Sequence, residues 1–574
     1  MFLRPMPLLL VVASLAAPVS SLRAQIPLGP GQAASPATPA ASPSPPAPPS
    51  QPFSPPPERI QVQTLASVNP NEAGLIDDQH GALGAGMWGG TSLGLIARGL
   101  PLLPNQPAWR TLRSLELRLL ESPASLPEGK QDGEPVLALR AGKLAAMGAM
   151  DATAQLLARM PSPQLTPTLR RLQVDSALLS GDTAGACAQE PALHAALPGD
   201  NYAQQVQVFC QFLAGKNSDA SLGIDLLRDQ KLRDPAFFAA ADALSGLPAA
   251  KIDWVAQASP VGLAMAIQAK LPLADSAVAG APPAMLPALM RDPSLSPDAH
   301  LAAAERAVTL GILPADQLRQ LYEGVSATID GATAATEAGK TPKSRALLFK
   351  AALAQPAPNQ RAELIQRALA ADPATAPLVY APMLAELQAT SDLANFAPWA
   401  IRALLAGGQT EAVRPWLGIL RAEGLMSGGS AAAALKPLAR LAGLVPDPLT
   451  AADLAAWRQA RDEAPSEAGK RTLLLLSLTS ALGDPAPEPD WLNLLDGPSI
   501  ISGKVSRSAL SVGLMNAAAA GRRGETVLYT LLAMGESRDA EPAEFARLVS
   551  ALNAAGLQSD ARALAVEIVL AYGI

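Results

Sequence analysis

The chain has 574 residues, of which 49% are hydrophobic but only 4% are aromatic, and its formal charge is −6. This charge, without a visible cluster of Lys and Arg, argues against a nucleic-acid partner, because phosphate binding needs clustered basic side chains. The apolar residues are mostly Ala and Leu, which favour helices over strands, so the composition predicts an all-α protein that is too long for one compact core.

Residues 1–24 have the pattern of an export signal. They contain one positive charge at Arg4, an apolar stretch and a small-residue cleavage point after Ala24. The chain is rich in Ala, Arg and Pro and poor in Lys, a composition associated with Gram-negative bacteria of high GC content, so the expected location is the periplasm. No Cys lies near the cleavage point, so a lipid anchor is not indicated. If the signal is left uncleaved, residues 5–22 would instead anchor the protein in the membrane.

Residues 25–57 are a mixture of Pro, Ala, Ser and Gln. This composition cannot bury apolar surface and favours extended polyproline II, so we predict a disordered tether with a reach of about 90 Å. Residues 58–106 follow as an irregular, Gly-rich N-terminal segment or cap. Residues 107–574 are predicted to form one α-helical repeat body.

A repeating pattern runs through residues 107–574. Ala- and Leu-rich stretches end in a Gly, and an Asp, Ser or Thr then begins another such stretch, as in the sequence from Leu178 to Ala184. Gly after a helix supplies a left-handed cap, and Asp, Ser or Thr caps the next helix. Successive markers lie 31 to 34 residues apart at Gly148, Gly181, Gly215, Gly246, Gly280 and Gly311. Less regular steps continue through Gly339, Asp372, Gly408, Gly443, Gly483, Gly521 and Gly556.

This pattern resembles tetratricopeptide-type repeats and other α-solenoids over about residues 107–574. The similarity lies in the length of the helical hairpins and in the small residues at helix contacts. The chain departs from the tetratricopeptide pattern because Leu or Ala occupies most of the usual aromatic positions and a regular Pro at the unit end is missing. The resemblance implies a right-handed α-solenoid of stacked antiparallel helix pairs with a concave face for a partner. It does not by itself confer a function.

The two cysteines of the chain, Cys187 and Cys210, predict a disulfide if the protein is exported. Cys187 follows the turn at Gly181, and a second turn signal lies midway between the cysteines at residues 197–200. Antiparallel helices would therefore bring the two cysteines to the same level. The alternative is a pair of buried thiols, and the absence of a CxxC spacing argues against a redox-active pair.

Chemical motifs occur only as near misses. None of the three histidines, His80, His194 and His300, has a second ligand at metal-binding spacing, so no metal or cofactor is expected. Residues 84–89 match GxGxxG, and residues 90–94 match GxSxG with Ser92 at the centre. Neither match follows a predicted strand, which both motifs require, so we interpret both as coincidental.

Residues 69–91 stand apart from the helical body, because they combine six glycines with two adjacent acids, a His and a Trp and show no helical or strand period. One hypothesis is a docking loop with Trp88 as its anchor and Asp77, Asp78 and His80 as its polar rim. The alternative is a cap over the first repeat with Trp88 buried under it.

A group of charged residues follows at the beginning of the helical body. Arg110, Arg113 and Arg118 recur at helical spacing beside Glu116. This spacing is typical of a solvated helix face with local ion pairs, so we expect these side chains at the surface.

The sequence favours an exported, non-enzymatic helical-repeat scaffold or adaptor that binds a protein or peptide partner in the bacterial cell envelope. No transmembrane helix is expected in the body, because its most apolar runs are too short or are interrupted by charges. The oligomeric state is not indicated.

The alternative is a peptidoglycan-acting envelope enzyme, or a regulator of one, built on an α-superhelix. Residues 513–516 are similar to the Gly-Leu-Met-Gln motif of soluble lytic transglycosylases. However, residues 496–510 contain no Glu, which the mechanism needs as a general acid, and the pair Glu536 and Ser537 lies on the wrong side of the motif.

Overall fold

The computed structural model of the protein describes residues 69–129, 133–248, 258–326, 339–422, 430–461, 465–484 and 508–574. They belong to one compact unit, Ser67–Ile574. These described ranges contain α-helices, short 3-10 helices and loops but no β-strand, which confirms the predicted all-α fold. No helix within them is long and apolar enough to cross a membrane. The predicted signal and tether, residues 1–57, lie outside the described residues.

Twenty-six α-helices are described, and fourteen of them precede residue 327. These are α1 Leu93–Leu102, α2 Arg110–Glu121, α3 Val136–Ala146, α4 Met150–Leu157, α5 Pro167–Ser180, α6 Thr183–Ala196, α7 Asn201–Leu213, α8 Asn217–Asp229, α9 Pro235–Leu244, α10 Pro260–Gln268, α11 Ser276–Gly280, α12 Leu286–Leu289, α13 Pro297–Thr309 and α14 Ala315–Glu323. The others are α15 Pro342–Ala354, α16 Pro358–Ala371, α17 Ala376–Glu386, α18 Ala397–Ala406, α19 Val413–Ala422, α20 Ser430–Leu441, α21 Ala451–Gln459, α22 Pro465–Ala481, α23 Ser508–Ala519, α24 Arg523–Met534, α25 Pro542–Ala554 and α26 Gln558–Ala571.

Consecutive helices pack in neighbouring pairs, such as α5 with α6, α7 with α8 and α25 with α26. The turn between α5 and α6 illustrates how the sequence produces a pair. Gly181 adopts a left-handed φ of 84° just after α5, and the side chain of Asp182 accepts a hydrogen bond from the N–H of Gly185 at 2.8 Å. These are the two caps that the repeat pattern predicts, and the α-solenoid-like pairing of helices is confirmed.

The turn glycines lie where the repeat pattern predicts them, with one exception. A left-handed φ is found at Gly148, Gly181, Gly215, Gly246, Gly311, Gly339, Gly408, Gly443, Gly483, Gly521 and Gly556. Gly280 differs because it is the last residue of the short helix α11. At Gly148 the need for Gly is also steric, since a Cβ there would lie 2.6 Å from the carbonyl oxygen of Pro283. Units that are distant in sequence therefore meet closely at this turn.

The disulfide between Cys187 and Cys210 joins α6 to α7, with the two Cα atoms 5.5 Å apart. Cys187 lies in the first half of α6 and Cys210 near the end of α7. The predicted pairing of the two cysteines is therefore confirmed. It constrains the two helices on either side of the turn at residues 197–200.

The chain returns on itself, because the N-terminal segment, which we define as residues 69–121, packs against the last repeats. Helix α1 contacts α24, and α2 contacts both α24 and α26. Glycines permit this close approach. A Cβ on Gly99 of α1 would lie 2.7 Å from Leu528 Cδ2. A Cβ on Gly524 of α24 would lie 2.8 Å from the carbonyl oxygen of Met87. The N-terminal segment therefore shares a hydrophobic core with the C-terminal helices.

The described part of the predicted Gly-rich segment, residues 58–106, contains a regular helix. Residues 93–102 form the regular helix α1, which Ser92 caps by accepting a hydrogen bond from the N–H of Leu95. Apolar residues of α1, including Leu93, Ile96 and Leu100, are buried. Helix α1 is thus a packed part of the fold.

Helix α2 is capped at both ends by residues that are distant in sequence. Its N-cap residue, Trp109, makes no side-chain cap. Instead, the carboxylate of Glu567 accepts hydrogen bonds from the backbone N–H groups of Arg110 at 2.7 Å and Thr111 at 2.9 Å. At the other end, the guanidinium of Arg140 donates to the carbonyl oxygen of Leu120 at 2.7 Å. An anion at the first turn and a cation at the last turn also complement the helix dipole.

Three further carboxylates of the C-terminal repeats bind the N-terminal segment. Asp560 forms a salt bridge with Arg118 at 2.7 Å. Glu525 accepts a hydrogen bond from the hydroxyl of Thr91 at 3.0 Å. Glu536 accepts hydrogen bonds from the backbone N–H groups of Asn105 and Gln106, both at 3.1 Å. Together with Glu567, these three carboxylates attach the N-terminal segment to the C-terminal helices.

Replacing Glu567 tests this attachment. Glu567→Ala leaves the first N–H groups of α2 without their acceptor, so the free energy of unfolding should fall by about 1–2 kcal/mol, as for the loss of a helix cap. Urea unfolding followed by circular dichroism measures the change. Glu411→Ala is the control, because Glu411 is exposed and bonds only to a nearby Arg on the surface. A Glu567→Ala variant as stable as this control would contradict the capping role.

The disulfide makes a second prediction. Denatured, unreduced protein should contain no thiol that reacts with a labelling reagent. Reduction should lower the free energy of unfolding by about 3 kcal/mol, the chain-entropy effect of closing a loop of this size. A Cys187→Ser, Cys210→Ser double variant should match the reduced protein and should not respond to reductant. Two freely labelled thiols in the unreduced protein would contradict the bond.

Candidate binding cleft

The four residues predicted to form a docking loop do not act as one surface. Asp77, Asp78 and His80 are exposed, and His80 Nδ1 lies 2.6 Å from Asp77 Oδ1. This hydrogen bond holds the pKa of the Asp77 carboxyl below its usual value. Trp88, in contrast, is only 3% exposed. Trp88 therefore cannot serve as a surface anchor in this conformation, which corrects the docking-loop hypothesis and agrees with the cap alternative.

Trp88 is buried because the loop around it is pressed onto α24. The N–H of Gly524 donates to the carbonyl oxygen of Met87 at 2.9 Å. A Cβ at Gly524 would lie 2.9 Å from Trp88 Cε3, so only Gly fits between the helix and the indole. Leu83 is buried in the same cluster as Met87 and Trp88. The segment thus works as packing between the first and last helices.

Two of the charged residues predicted to lie on a solvated face of α2, Arg113 and Glu116, are instead in the interior. Arg113 and Glu116 are buried, at 4% and 0% exposure, and make no ion pair with each other. The sequence contains a signal for the burial of Glu116, since it lies four positions after Leu112 and three before Leu119 and so shares the apolar face of the helix. Arg118 does form an ion pair, but with Asp560.

One candidate site is an open cleft of about 740 Å³ between α22, α25 and α26. Its floor is apolar, because Leu474 of α22 and Phe545 of α25 are almost fully buried. Tyr572, just after α26, completes the floor. A second cavity, beside Tyr380, measures only about 10 Å³, which is enough for one water molecule. The cleft is therefore the better candidate for a ligand.

Aromatic rings support the floor of the cleft. Phe545 contacts Tyr572 edge to face with ring centroids 5.8 Å apart, and it contacts Trp109 in the same way at 5.7 Å. The guanidinium of Arg538 lies 5.5 Å from the ring centroid of Trp109. These aromatic contacts fix the rings in place. They also connect the floor to the N-terminal segment, to which Trp109 belongs.

Charged residues of both signs surround this floor. Glu467 and Lys470 are half-exposed and pair at 2.9 Å on the surface of α22. Arg471 Nε donates to the carbonyl oxygen of Tyr572 at 3.1 Å, and the exposed Glu541 lies at the beginning of α25. An apolar floor with a charged rim is the usual composition of a site that binds an amphipathic ligand.

The phenol of Tyr572 is a polar group of the cleft with a shifted pKa. Burial raises the pKa of Tyr572, with Asp539 and Glu541 reinforcing the effect. The phenol is therefore neutral, and it donates a hydrogen bond to the carbonyl oxygen of Arg538 at 3.2 Å. The lining residues include no Ser, Thr, Cys or His. No group of three or more side chains in the described ranges is placed to hold a metal ion.

The near-miss motifs have structural roles in the described part of the chain. Ser92 of the GxSxG match caps α1. Residues 513–516 lie within α23, and Gly513 packs against the ring of Tyr529. The carboxylate of Glu536 accepts hydrogen bonds from the backbone of the N-terminal segment. Residues 496–507, which contain no Glu to act as a general acid, lie outside the described residues.

Trp88→Ala should lower the free energy of unfolding by about 3–5 kcal/mol, because it empties a buried aromatic site. Urea unfolding measures the loss. Trp399→Ala is the matched control, since Trp399 is 37% exposed and should cost less. A loss below about 1 kcal/mol at Trp88, within the range of surface substitutions, would contradict the cap.

Comparisons with known proteins do not add a relative from which a function can be inferred. No protein-family model matches the chain, and no curated protein or solved structure matches it. The function must therefore be argued from the residues themselves.

Proposed function

We propose that this protein is an exported, non-enzymatic helical scaffold or adaptor, and that it binds an extended peptide segment of an envelope protein in the cleft between α22, α25 and α26. The observation that carries the proposal is the cleft itself, with its apolar, aromatic floor and its rim of both charges. The N-terminal segment supports the floor of this cleft through the contact of Trp109 with Phe545.

The chemistry of the cleft specifies the partner. Phe545 and Leu474 offer an apolar surface for one aliphatic or aromatic side chain of a peptide. Lys470 and Glu541 lie on different helices along the rim and complement charges of opposite sign on the neighbouring residues of that peptide. The occupant that fits is therefore an extended segment with an apolar residue flanked by charged ones.

Two features support export to the periplasm. Residues 1–24 have the composition of an export signal. The bond between Cys187 and Cys210 is of the kind that persists in oxidising compartments. A peptide partner in the envelope would meet the protein in this compartment.

No observation on the described residues favours the alternative of a peptidoglycan-acting enzyme. The carboxyl of Glu116 is at 0% exposure, so a glycan strand cannot reach it in this conformation. The hydroxyl of Ser92 caps a helix. A binding role therefore agrees better with these residues, and the enzymatic reaction serves as a control measurement.

Filling the cleft tests the proposal. Ala571 is exposed and lines the cleft, so Ala571→Trp should occupy the space without disturbing the core. Short random peptides displayed on phage are selected on the purified protein, and their affinities are measured by fluorescence anisotropy. Selected peptides should carry an apolar residue between charged ones and should bind the Ala571→Trp variant about tenfold more weakly or worse, which corresponds to about 1.4 kcal/mol.

Ala195→Trp is the matched control, because Ala195 is exposed on α6 and does not line the cleft. This variant should bind the peptides like the unmodified protein. Failure to select any peptide, or equal binding by both variants, would overturn the proposal. Release of soluble fragments from purified peptidoglycan by the unmodified protein would favour the enzymatic alternative.

A further inference from the structure

The buried face of α2 carries polar atoms that have no partner. Trp109, Arg113 and Glu116 lie on this face at successive turns of the chain, and all three are buried. The indole Nε1 of Trp109, two guanidinium nitrogens of Arg113 and both carboxylate oxygens of Glu116 make no hydrogen bond. Buried polar atoms without partners are rare in proteins, so their concentration on one helix face marks an unusual site.

Charged groups of three elements act on the carboxyl of Glu116. Arg113 lies on the same helix, Lys143 on α3, and Glu536 just after α24. Burial raises the pKa of Glu116 to about 8, with Lys143 and Arg113 opposing the shift and Glu536 reinforcing it. Glu116 is therefore mostly protonated at neutral pH and ionises in a mildly alkaline solution.

These groups also hold the N-terminal segment in place. Arg113 Nη2 donates to the carbonyl oxygen of Met147 at 2.8 Å, which joins α2 to the turn after α3. Lys143 Nζ donates to Asn105 Oδ1 at 2.9 Å, and the backbone N–H of Asn105 donates to Glu536. The charged residues that act on the carboxyl of Glu116 are therefore the same residues that attach the segment to the body.

We propose that the buried cluster of Glu116, Arg113 and Lys143 is a proton-dependent lock on the N-terminal segment. The segment stays closed while Glu116 keeps its proton, and it opens more readily when Glu116 loses it. An ionised carboxylate without hydrogen-bond donors is costly to bury, whereas opening of the segment exposes it to water. The lock itself does not depend on the proposed peptide binding.

Opening would also change the binding cleft. Trp109 belongs to the N-terminal segment and packs edge to face on Phe545 of the cleft floor. When the segment leaves, this contact and the buried position of Trp88 against Gly524 are lost together. The lock therefore connects the protonation of one buried carboxyl with the shape of the cleft.

The direction of the pH effect follows from proton linkage. In the open state Glu116 is solvated and has an ordinary pKa near 4.5, whereas in the closed state its pKa is about 8. Between these values the closed state holds one proton more than the open state. Closure is therefore most stable below pH 4.5, weakens as the pH rises, and reaches its lower limit above pH 8.

Hydrogen exchange of the full chain tests the lock. Protection factors, which remove the intrinsic pH dependence of exchange, are measured for the amides of α2 between about pH 5 and pH 9. They should fall about tenfold per pH unit up to the closed-state pKa of Glu116 and then level off, since one proton is released on opening. Amides of α7 and α8, which pack mainly against each other and against α6 and α10, should not follow this slope.

Two variants separate the lock from general destabilisation. Glu116→Gln keeps the size of the side chain but cannot ionise, so protection of α2 should lose its slope across the whole range. Glu567→Gln weakens the cap of α2 and should lower protection by a similar factor at every pH while keeping the slope. A slope that persists in the Glu116→Gln variant, or unmodified protein without any slope, would overturn the proposal.

Discussion

The carboxylate of Glu567, placed at the beginning of α2, ties the first helices of this chain to the last. In an open helical array each unit contacts only its neighbours, and both ends need separate caps. Here Glu567, from the last helix, accepts hydrogen bonds from the first turn of α2. Arg140, from α3, donates to a carbonyl oxygen of its last turn. This arrangement brings α1 and α2 into one core with α24 and α26. The positions of the cleft floor and of the buried charge cluster both depend on it.

Few side chains are charged in this protein, only 16%, and several of the buried or partly buried cations bind backbone carbonyl oxygens. Arg113 binds the carbonyl oxygen of Met147, and Lys143 binds that of Leu103. Arg402 binds the carbonyl oxygen of Ile574 at 2.7 Å. A cation bonded to a carbonyl oxygen near the end of a helix satisfies a group that would otherwise lack a partner. Glu116 is different, because its oxygens bind nothing, and for this reason we assign it a regulatory rather than a structural role.

Trp109 connects the cleft with the N-terminal segment on which the lock acts. Its ring packs on Phe545 in the cleft floor, and its position just before α2 makes it move with the N-terminal segment. Aromatic residues are only 4% of the chain, yet Trp109, Phe545 and Tyr572 meet at this one place. A scaffold that binds peptides here could release them when its first helices detach. Peptide binding would then be controlled by the contact of α1 and α2 with α24 and α26.

The sequence by itself determined the helical class, the turn glycines and the disulfide, because each depends on neighbours that are close in the chain. The Gly181 cap, the Asp182 cap and the pairing of Cys187 with Cys210 all follow from local helix and turn chemistry. Only the tertiary structure decided that Trp88 is buried, that Arg113 and Glu116 are interior, and that a cleft forms between α22, α25 and α26. The burial of Trp88 and of α2 depends on contacts between residues more than 400 positions apart, such as Thr111 with Glu567, and the cleft depends on the packing of α22 against α25 and α26. Spacing along one helix defines its faces, but it does not state which of them a distant helix will cover.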